Sequence, residues 1–248
     1  MPKPALYVFA ISHYCEKARW ALDYMDIDYQ INYLAPGHHR KIARKLGVKG
    51  SSLPILVAGG QVVHGSAEII SWADTAAANE KAHLIPESSA EKCLALEKRI
   101  DDILGVHIRR YYYSEALVEH PKSVRPIFTK DLPFLQKLSV GLAWRVICEA
   151  MIKGMDLGYE QGQESRRIVE EELDWLDGLL SDGRKFLCGN QFSCADIAAA
   201  SLLAALATPE NHPTYANLQL PPRVAEDMVN WGNRRSVNWV RECYSQYR

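Results

Sequence analysis

The sequence predicts a mixed α/β domain at the N-terminus, followed by an all-α domain. Two observations carry this prediction. Up to about residue 80, short apolar strands alternate with helices, beginning with ALYVFA, YCEKARWALDYM and IDYQINYL. The polar stretch NEKAHLIPESS then interrupts the alternation, and the segments after it are patterned as helices. We therefore expect one domain over residues 1–79 and a second over residues 89–248.

The composition excludes several classes of protein. The chain has 248 residues, 48% of them hydrophobic, and its 29 Lys and Arg nearly balance its 30 Asp and Glu. A chain of this size can build a substantial core, and its balanced charge does not favour nucleic acid or a membrane surface as a partner. The longest apolar run, residues 195–207, is shorter than the roughly 20 residues of a membrane span. Because the first residues also lack a secretory pattern, we expect a cytoplasmic protein.

The six cysteines do not follow a disulfide or metal-binding pattern. The sequence contains no CxxC pair and no cysteine and histidine spacing typical of zinc ligands. We expect reduced thiols, which are usual in the cytosol, and no structural metal.

The first domain is predicted to end in a hairpin and a helix. The segment LPILVAGGQVVHG predicts two short strands joined by a tight turn, because Gly59 and Gly60 tolerate the positive φ angles of such turns. The segments HHRKIARKLG and SAEIISWADTAAA predict helices before and after the hairpin.

The second domain begins with one long predicted helix, from Ala90 to Leu117. Three prolines at 121, 126 and 133 predict a less regular middle, and ESRRIVEEELDWLDGLL predicts a further amphipathic helix. In QFSCADIAAASLL, Ser193 and Asp196 have the spacing of a capping box at the start of a helix.

This order of elements resembles the cytosolic glutathione transferase family, and the resemblance covers the whole chain. The segment LYVFAISHYC is similar to the first strand and active-site turn of the serine-type classes, such as theta and zeta. SLPIL, GSAEII and FSCADI are similar to three further family elements, in the family's order and spacing. Residues 118–158 are longer than the usual connection in the family, so the lid over a substrate pocket is not predicted by analogy.

The resemblance implies a thioredoxin-like N-terminal domain and a helical C-terminal domain. It also implies a homodimeric detoxification enzyme that conjugates glutathione, as co-substrate, to a small electrophilic and largely apolar compound. Two other interpretations stay open: a glutathione-dependent thiol/disulfide reductase, and a non-catalytic glutathione-binding or assembly module, because a fold does not determine a function.

Ser12 is the predicted catalytic residue. It lies where the first strand ends and a helix begins, so its hydroxyl and the free N–H groups of the first helical turn can face an anion together. A free thiol has a pKa near 8.5, and one charge-assisted hydrogen bond lowers that pKa by about one to two units. A serine at this position also suits a purely structural N-cap.

Cys15 is the alternative nucleophile. It occupies the resolving position of a thioredoxin-type SxxC spacing, in the first helical turn. The alternative is that Cys15 is a small buried apolar side chain, which is common for free cysteine.

The resemblance assigns a glutathione-binding role to several residues. The backbone of Leu53 would pair with the cysteinyl part of glutathione beside a cis Pro54, and Ser66 would hold the γ-glutamyl carboxylate. Gly65 stands where the family usually has an acidic residue or glutamine for the γ-glutamyl ammonium. Asp101 and Asp102 on the long helix are candidate replacements for that contact, either within one chain or across a dimer.

Two further groups complete the predicted site. His39 or Lys41, beside the second helix, would provide a cation for the glycine carboxylate of glutathione. The run RRYYY, late in the long helix, would line the apolar side of the cleft, with Tyr111 and Tyr112 in the substrate pocket. Since consecutive residues on a helix point in different directions, at most two of the three tyrosines can line the pocket.

Overall fold

A computed structural model of the protein describes residues 2–77, 83–216 and 218–248. Within these ranges the N-terminal part is a small sheet with helices, and the C-terminal part is helical, as predicted. The domain limit expected at residue 79 lies outside the described residues. No helix in the described ranges is long and apolar enough to cross a membrane.

The sheet has four strands in the order β2-β1-β3-β4. β1 runs parallel to β2 and antiparallel to β3, and β3 is antiparallel to β4. The strands are β1 (Ala5–Val8), β2 (Gln30–Tyr33), β3 (Ile55–Ala58) and β4 (Gln61–His64). Gly59 and Gly60 have φ angles of 57° and 85°, which confirms the predicted tight turn between β3 and β4.

Three helices accompany the sheet and eight form the C-terminal part of the described chain. The first group is α1 (His13–Tyr24), α2 (His38–Lys45) and α3 (Ser66–Ala76). The second group is α4 (Ala90–Arg99), α5 (Val106–Ala116), α6 (Pro121–Thr129), α7 (Phe134–Met155), α8 (Tyr159–Leu179), α9 (Cys194–Ala207), α10 (Pro222–Trp231) and α11 (Arg235–Tyr247).

The long helix predicted over residues 90–117 contains a π-helical turn, Ile100–Gly105, between α4 and α5. The Tyr14 hydroxyl reaches this turn and donates a hydrogen bond of 2.7 Å to the carbonyl oxygen of Asp101. A Cβ at Gly105 would lie 2.5 Å from the Tyr14 hydroxyl oxygen, so this close approach requires glycine.

The prediction of a less regular middle is wrong, because residues 121–129 and 134–155 form α6 and α7. Pro121 is the first residue of α6 and Pro133 immediately precedes α7, positions where proline does not interrupt helical hydrogen bonds. Trp144 of α7 donates a hydrogen bond of 2.9 Å to the Pro121 carbonyl and packs on Phe128. These contacts hold α6 and α7 together as a hairpin.

The start of α9 confirms the predicted capping box. The Asp196 carboxylate accepts hydrogen bonds from the backbone N–H and the hydroxyl of Ser193, at 2.9 and 2.6 Å. Its other oxygen accepts from the N–H of Leu187, at 2.8 Å. Every residue of α9 is buried, so the helix forms the centre of the C-terminal domain.

Candidate functional site

One edge of the sheet brings together the sequence segments predicted to bind glutathione. Tyr7 pairs with Ile55 and Ile55 pairs with His64, so β1 and β4 end where β3 begins. β2 is parallel to β1 and ends at the same edge. The turn after β1, the Leu53–Pro54 segment, the start of α3 and the segment leading into α2 therefore all lie at this edge.

Ser12 is the N-cap of α1 and remains partly exposed. Its hydroxyl oxygen accepts a hydrogen bond of 3.3 Å from the backbone N–H of Cys15. The cap uses one acceptor position and leaves the hydroxyl hydrogen available for another group. The two roles considered for Ser12 are therefore compatible, because one oxygen can cap the helix while its O–H group donates to an anion.

Cys15 is buried, with an exposed fraction of 1%. Its sulfur accepts a hydrogen bond of 3.4 Å from the N–H of Phe9, and burial raises the pKa of the thiol to about 11. At neutral pH only a very small fraction of Cys15 is therefore thiolate. Reactive cysteines, in contrast, are accessible to solvent and have lowered pKa values.

The Leu53–Pro54 peptide bond is cis, as the resemblance implies. The Pro54 carbonyl accepts a hydrogen bond of 3.1 Å from the N–H of Gly65. The backbone N–H and C=O of Leu53 have no hydrogen-bond partner among the described residues. They are therefore free to pair with an added peptide strand.

Gly65 has a φ angle of 103°, a conformation that L side chains rarely adopt. The backbone geometry thus explains why glycine replaces the acidic or amide residue expected here. Ser66 is the first residue of α3, where backbone N–H groups lack helical partners. The Ser66 hydroxyl has no hydrogen-bond partner in the described part of the chain, so it can contribute to binding a carboxylate at this helix terminus.

Asp101 and Asp102 both contact lysines of their own chain, and their role as a replacement for the acidic group missing at Gly65 stays a prediction. Asp101 lies 2.5 Å from the ammonium of Lys17, a fully buried residue that also contacts Glu97 at 2.8 Å. Asp102 pairs with Lys98 on the preceding turn. Both aspartates are already paired with cations of their own chain.

His39 and Lys41 differ in their surroundings. His39 Nδ1 accepts a hydrogen bond of 3.1 Å from the N–H of Gly37, and its ring packs edge-on against Phe9. Burial and the charge of Arg40 lower the pKa of His39, so its imidazole is neutral at pH 7. Lys41 is exposed and has no ion-pair partner among the described residues. Of the two predicted cations, Lys41 is the one without a contact to another charged or aromatic side chain among the described residues.

A cleft separates the Ser12 turn from α5. Ile11 and His13, on either side of Ser12, line one wall. The remaining wall is formed by residues of α5, α9 and the segment after α9, namely Ile108, Arg109, Tyr112, Tyr113, Ala205, Tyr215 and Leu218. The cleft is narrow and its lining is mostly apolar and aromatic; Ser12 itself is not one of the lining residues, although its two chain neighbours are.

Tyr112, one of the two tyrosines expected in the substrate pocket, lines this cleft, whereas Tyr111 does not. The Tyr111 hydroxyl donates a hydrogen bond of 2.5 Å to Asp227, and its ring packs on Trp231. Tyr113 lines the cleft instead. The adjacent Arg110 also points elsewhere and pairs with Asp156 at 2.7 Å.

Family models match both parts of the chain. The glutathione S-transferase N-terminal domain matches residues 6–81, and the glutathione S-transferase C-terminal domain matches residues 159–226. Together the two models cover more than half of the chain. The chain belongs to the glutathione transferase family. No curated protein matches this chain significantly in sequence.

Solved glutathione transferases have similar folds. GSTFuA2 from Phanerochaete chrysosporium has a TM-score of 0.68 at 15% identity, with 100% of this chain and 98% of that chain covered. CsGST63524 of Ceriporiopsis subvermispora, in complex with glutathione, has a TM-score of 0.65 at 13% identity, with coverage of 99% and 98%. The β-etherase LigF from Sphingobium sp. strain SYK-6 has a TM-score of 0.62 at 16% identity, with coverage of 97% and 99%. At these identities the likeness concerns the fold.

In this glutathione transferase family member, residues after α9 hold the Ser12 turn. Thr214 donates a side-chain hydrogen bond of 2.9 Å to the Ala10 carbonyl, and the Tyr215 hydroxyl donates to the Ile11 carbonyl. His212 Nδ1 in turn accepts from the N–H groups of Thr214 and Tyr215, both at 2.9 Å. No local sequence pattern predicts these contacts, because the partners are about 200 residues apart.

Proposed function

We propose that this chain is a glutathione transferase of the serine type, with Ser12 as its catalytic residue. The observation that carries the proposal is the position of the Ser12 hydroxyl. The hydroxyl caps α1 through an acceptor position, and Ser12 is a partly exposed residue whose chain neighbours, Ile11 and His13, line the cleft. Its O–H group is therefore available to a thiolate that approaches from the sheet edge.

The proposed reaction is a nucleophilic attack by the glutathione sulfur. Ser12 donates a hydrogen bond to the thiolate and lowers the pKa of the bound thiol, which releases its proton to water. The thiolate forms a carbon–sulfur bond with an electrophilic carbon of the second substrate. The leaving group departs with the electron pair of the broken bond. The aromatic walls of the cleft favour an electrophile with an apolar body.

The sheet edge is proposed to hold the peptide part of glutathione. The unpaired backbone of Leu53 suits the cysteinyl residue, and the first turn of α3 with Ser66 suits the γ-glutamyl carboxylate. Lys41 is the proposed cation for the glycine carboxylate, with the neutral His39 as a hydrogen-bond donor beside it. Gly65 provides no side chain for the γ-glutamyl ammonium.

Three further expectations follow from the family. We propose a homodimer, a cytoplasmic location and a role in detoxification. In the described part of the chain, no group of three or more His, Cys, Asp or Glu is arranged to hold a metal ion.

The alternative of a thiol/disulfide reductase requires Cys15 to become a nucleophile. Its burial and raised pKa favour the conjugation reaction over this alternative. A mixed disulfide of glutathione is the substrate that distinguishes the two activities.

The proposal is tested by the pH dependence of conjugation in wild type and in Ser12→Ala. The variant is expected to lose about ten- to a hundredfold of kcat/KM at neutral pH, because one charge-assisted hydrogen bond is lost. Part of the activity should return at higher pH, where glutathione ionises unaided. Ser12→Asp is the control, since aspartate caps a helix well but provides no hydroxyl donor.

If Ser12 were only a cap, Ser12→Asp would retain full activity, and the proposal would fail. Cys15→Ser should retain conjugation in the protein that still folds. Reduction of a mixed disulfide that depends on Cys15 but not on Ser12 would establish the alternative activity.

A further inference from the structure

Arg109 is a cationic side chain in the cleft that has no acidic partner. It lies on α5 and lines the cleft together with His13, Tyr112 and Tyr113. Its Nε atom is buried without a hydrogen-bond partner, and it forms no ion pair with a described residue. A partly buried guanidinium without a counter-ion is unfavourable unless an anion binds there.

The nearby acidic groups are engaged elsewhere. Asp101 pairs with Lys17, as described above. Glu115, one turn and a half further along α5, accepts hydrogen bonds from the backbone N–H groups of Arg223 and Val224 at the start of α10, at 2.9 and 3.2 Å. The cleft lining itself contains no Asp or Glu.

His13 shows the effect of this uncompensated charge. Its ring is buried, and its Nε2 atom has no hydrogen-bond partner among the described residues. Burial and the charge of Arg109 lower the pKa of His13 to about 3, so its imidazole is neutral. The cleft therefore presents a fixed positive charge and an unpartnered imidazole nitrogen within apolar walls.

We propose that Arg109 binds an acidic group, of the carboxylate type, on the electrophilic substrate. This inference rests on the proposed function and defines its substrate class as small electrophiles with an apolar or aromatic body and one anionic group. A guanidinium pairs with a carboxylate through two parallel hydrogen bonds, which also fixes the orientation of the substrate.

Glutathione also carries carboxylates, but the geometry favours the electrophile. The segments proposed to hold the glutathione peptide all lie at the sheet edge of the N-terminal domain. Arg109 comes from the helical domain, across the cleft from the turn that carries Ser12. An anion on Arg109 would thus lie on the opposite side of the sulfur from the peptide.

The test uses two pairs of compounds. The first pair is the electrophile 4-chloro-3-nitrobenzoate and its methyl ester, and the second pair is the S-conjugates that glutathione forms with each of them. In each pair, one compound carries the carboxylate and the other is neutral. Wild type is expected to bind the carboxylate conjugate about ten- to a hundredfold more tightly than the ester conjugate in calorimetry. Arg109→Met should abolish this preference, and Arg109→Lys should retain part of it.

Arg110→Met is the matched control. It removes one positive charge from the same helix, but Arg110 pairs with Asp156 and Glu164 outside the cleft. The preference for the carboxylate conjugate should persist in this variant. An equal loss in Arg110→Met would show that the preference reflects net charge alone and would overturn the proposal.

Binding and turnover separate this inference from the proposed function. If wild type converts neither electrophile but binds the conjugates with a preference that depends on Arg109, the anion subsite stands and the transferase activity fails. If wild type converts the electrophiles but binds the two conjugates equally well, the transferase activity stands and the anion subsite fails. If Arg109→Met instead weakens the binding of glutathione itself by the same factor, the guanidinium serves glutathione and the proposal is overturned.

Discussion

The hydroxyl of Tyr215 donates a hydrogen bond to the carbonyl oxygen of Ile11, the residue immediately before Ser12. Tyr215 is buried and belongs to the segment between α9 and α10 of the helical domain. With the contact of Thr214 to Ala10, it fixes the two peptide groups that lead into the proposed catalytic turn. The helical domain therefore positions the serine as well as lining the cleft.

Tyr215→Phe tests this positioning role. The change leaves the Ile11 carbonyl without its donor in a buried place, which costs about 1–3 kcal/mol of stability. We also expect a lower kcat/KM and a shift of the pH–rate profile to higher pH, because the Ser12 hydroxyl is held less well against the thiolate. Kinetics between pH 6 and 9, with urea denaturation, measure both effects.

Tyr244→Phe is the matched control for that variant. Tyr244 is also a buried tyrosine, but its hydroxyl has no hydrogen-bond partner among the described residues. Removing it should leave the pH profile unchanged and cost little stability. If Tyr215→Phe lowers stability but keeps the wild-type pH profile, its role is structural only.

Glutathione is expected to stabilise the protein against unfolding. A ligand that binds only the folded state at one hundred times its dissociation constant adds about 2.7 kcal/mol. Thermal denaturation with and without millimolar glutathione measures this effect. The absence of a shift would argue against the conjugation and reductase activities alike, since both require glutathione to bind.

Much of the fold could be predicted from the sequence because its signals are local. The Gly59–Gly60 turn and the Ser193–Asp196 capping box depend on residues that are neighbours in the chain. The position of Ser12 between β1 and α1 follows from the strand and helix patterns on either side of it. These elements needed no knowledge of distant contacts.

The features that the sequence did not predict depend on tertiary contacts. The π turn packs against Tyr14, whose hydrogen bond to Asp101 spans 87 residues. A π turn accommodates an additional residue, so it changes which side chains of the following helix face the cleft. The consecutive positions of the three tyrosines alone could not decide which two of them line the cleft. The contact of Tyr215 with Ile11 spans 204 residues and leaves no local signal.

Gly65→Ala is expected to destabilise the start of α3. Space for a Cβ is available, since no atom lies within 4 Å of its position, but the φ angle of 103° is unfavourable for alanine. We expect a loss of about 1–3 kcal/mol and weaker glutathione binding, because the N–H groups of the first turn of α3 would move. Denaturation and calorimetry check the two results.

Gly141→Ala is the control for that prediction. Gly141 lies inside α7, also without an atom within 4 Å of an added Cβ, and its φ angle is helical. Alanine should stabilise this helix by about 0.5–1 kcal/mol. If Gly65→Ala were neutral, or stabilised the protein as Gly141→Ala does, the positive φ angle would not explain why the expected acidic residue is absent at position 65.

Asp196→Ala should lower stability by at least about 2 kcal/mol, because the N–H groups of Ser193 and Leu187 would lose their acceptor in a buried site. Ser193→Ala leaves both N–H groups paired and should cost only about 1 kcal/mol.

Burial raises the pKa of Asp196 to about 7, although its three hydrogen-bond donors oppose the shift. The folded protein then binds this proton more tightly than the unfolded chain.

The contribution of Asp196 to stability is therefore greatest below about pH 4, the ordinary range of a carboxyl, and decreases as the pH rises to about 7. Asp196→Asn does not titrate, so the difference in stability between wild type and this variant should change across that window. Urea denaturation at several pH values between 4 and 8 measures it. A difference in stability that stays constant with pH would show that the Asp196 carboxyl keeps an ordinary pKa. An Asp196→Ala protein with normal stability but no activity would show that the residue is functional rather than structural.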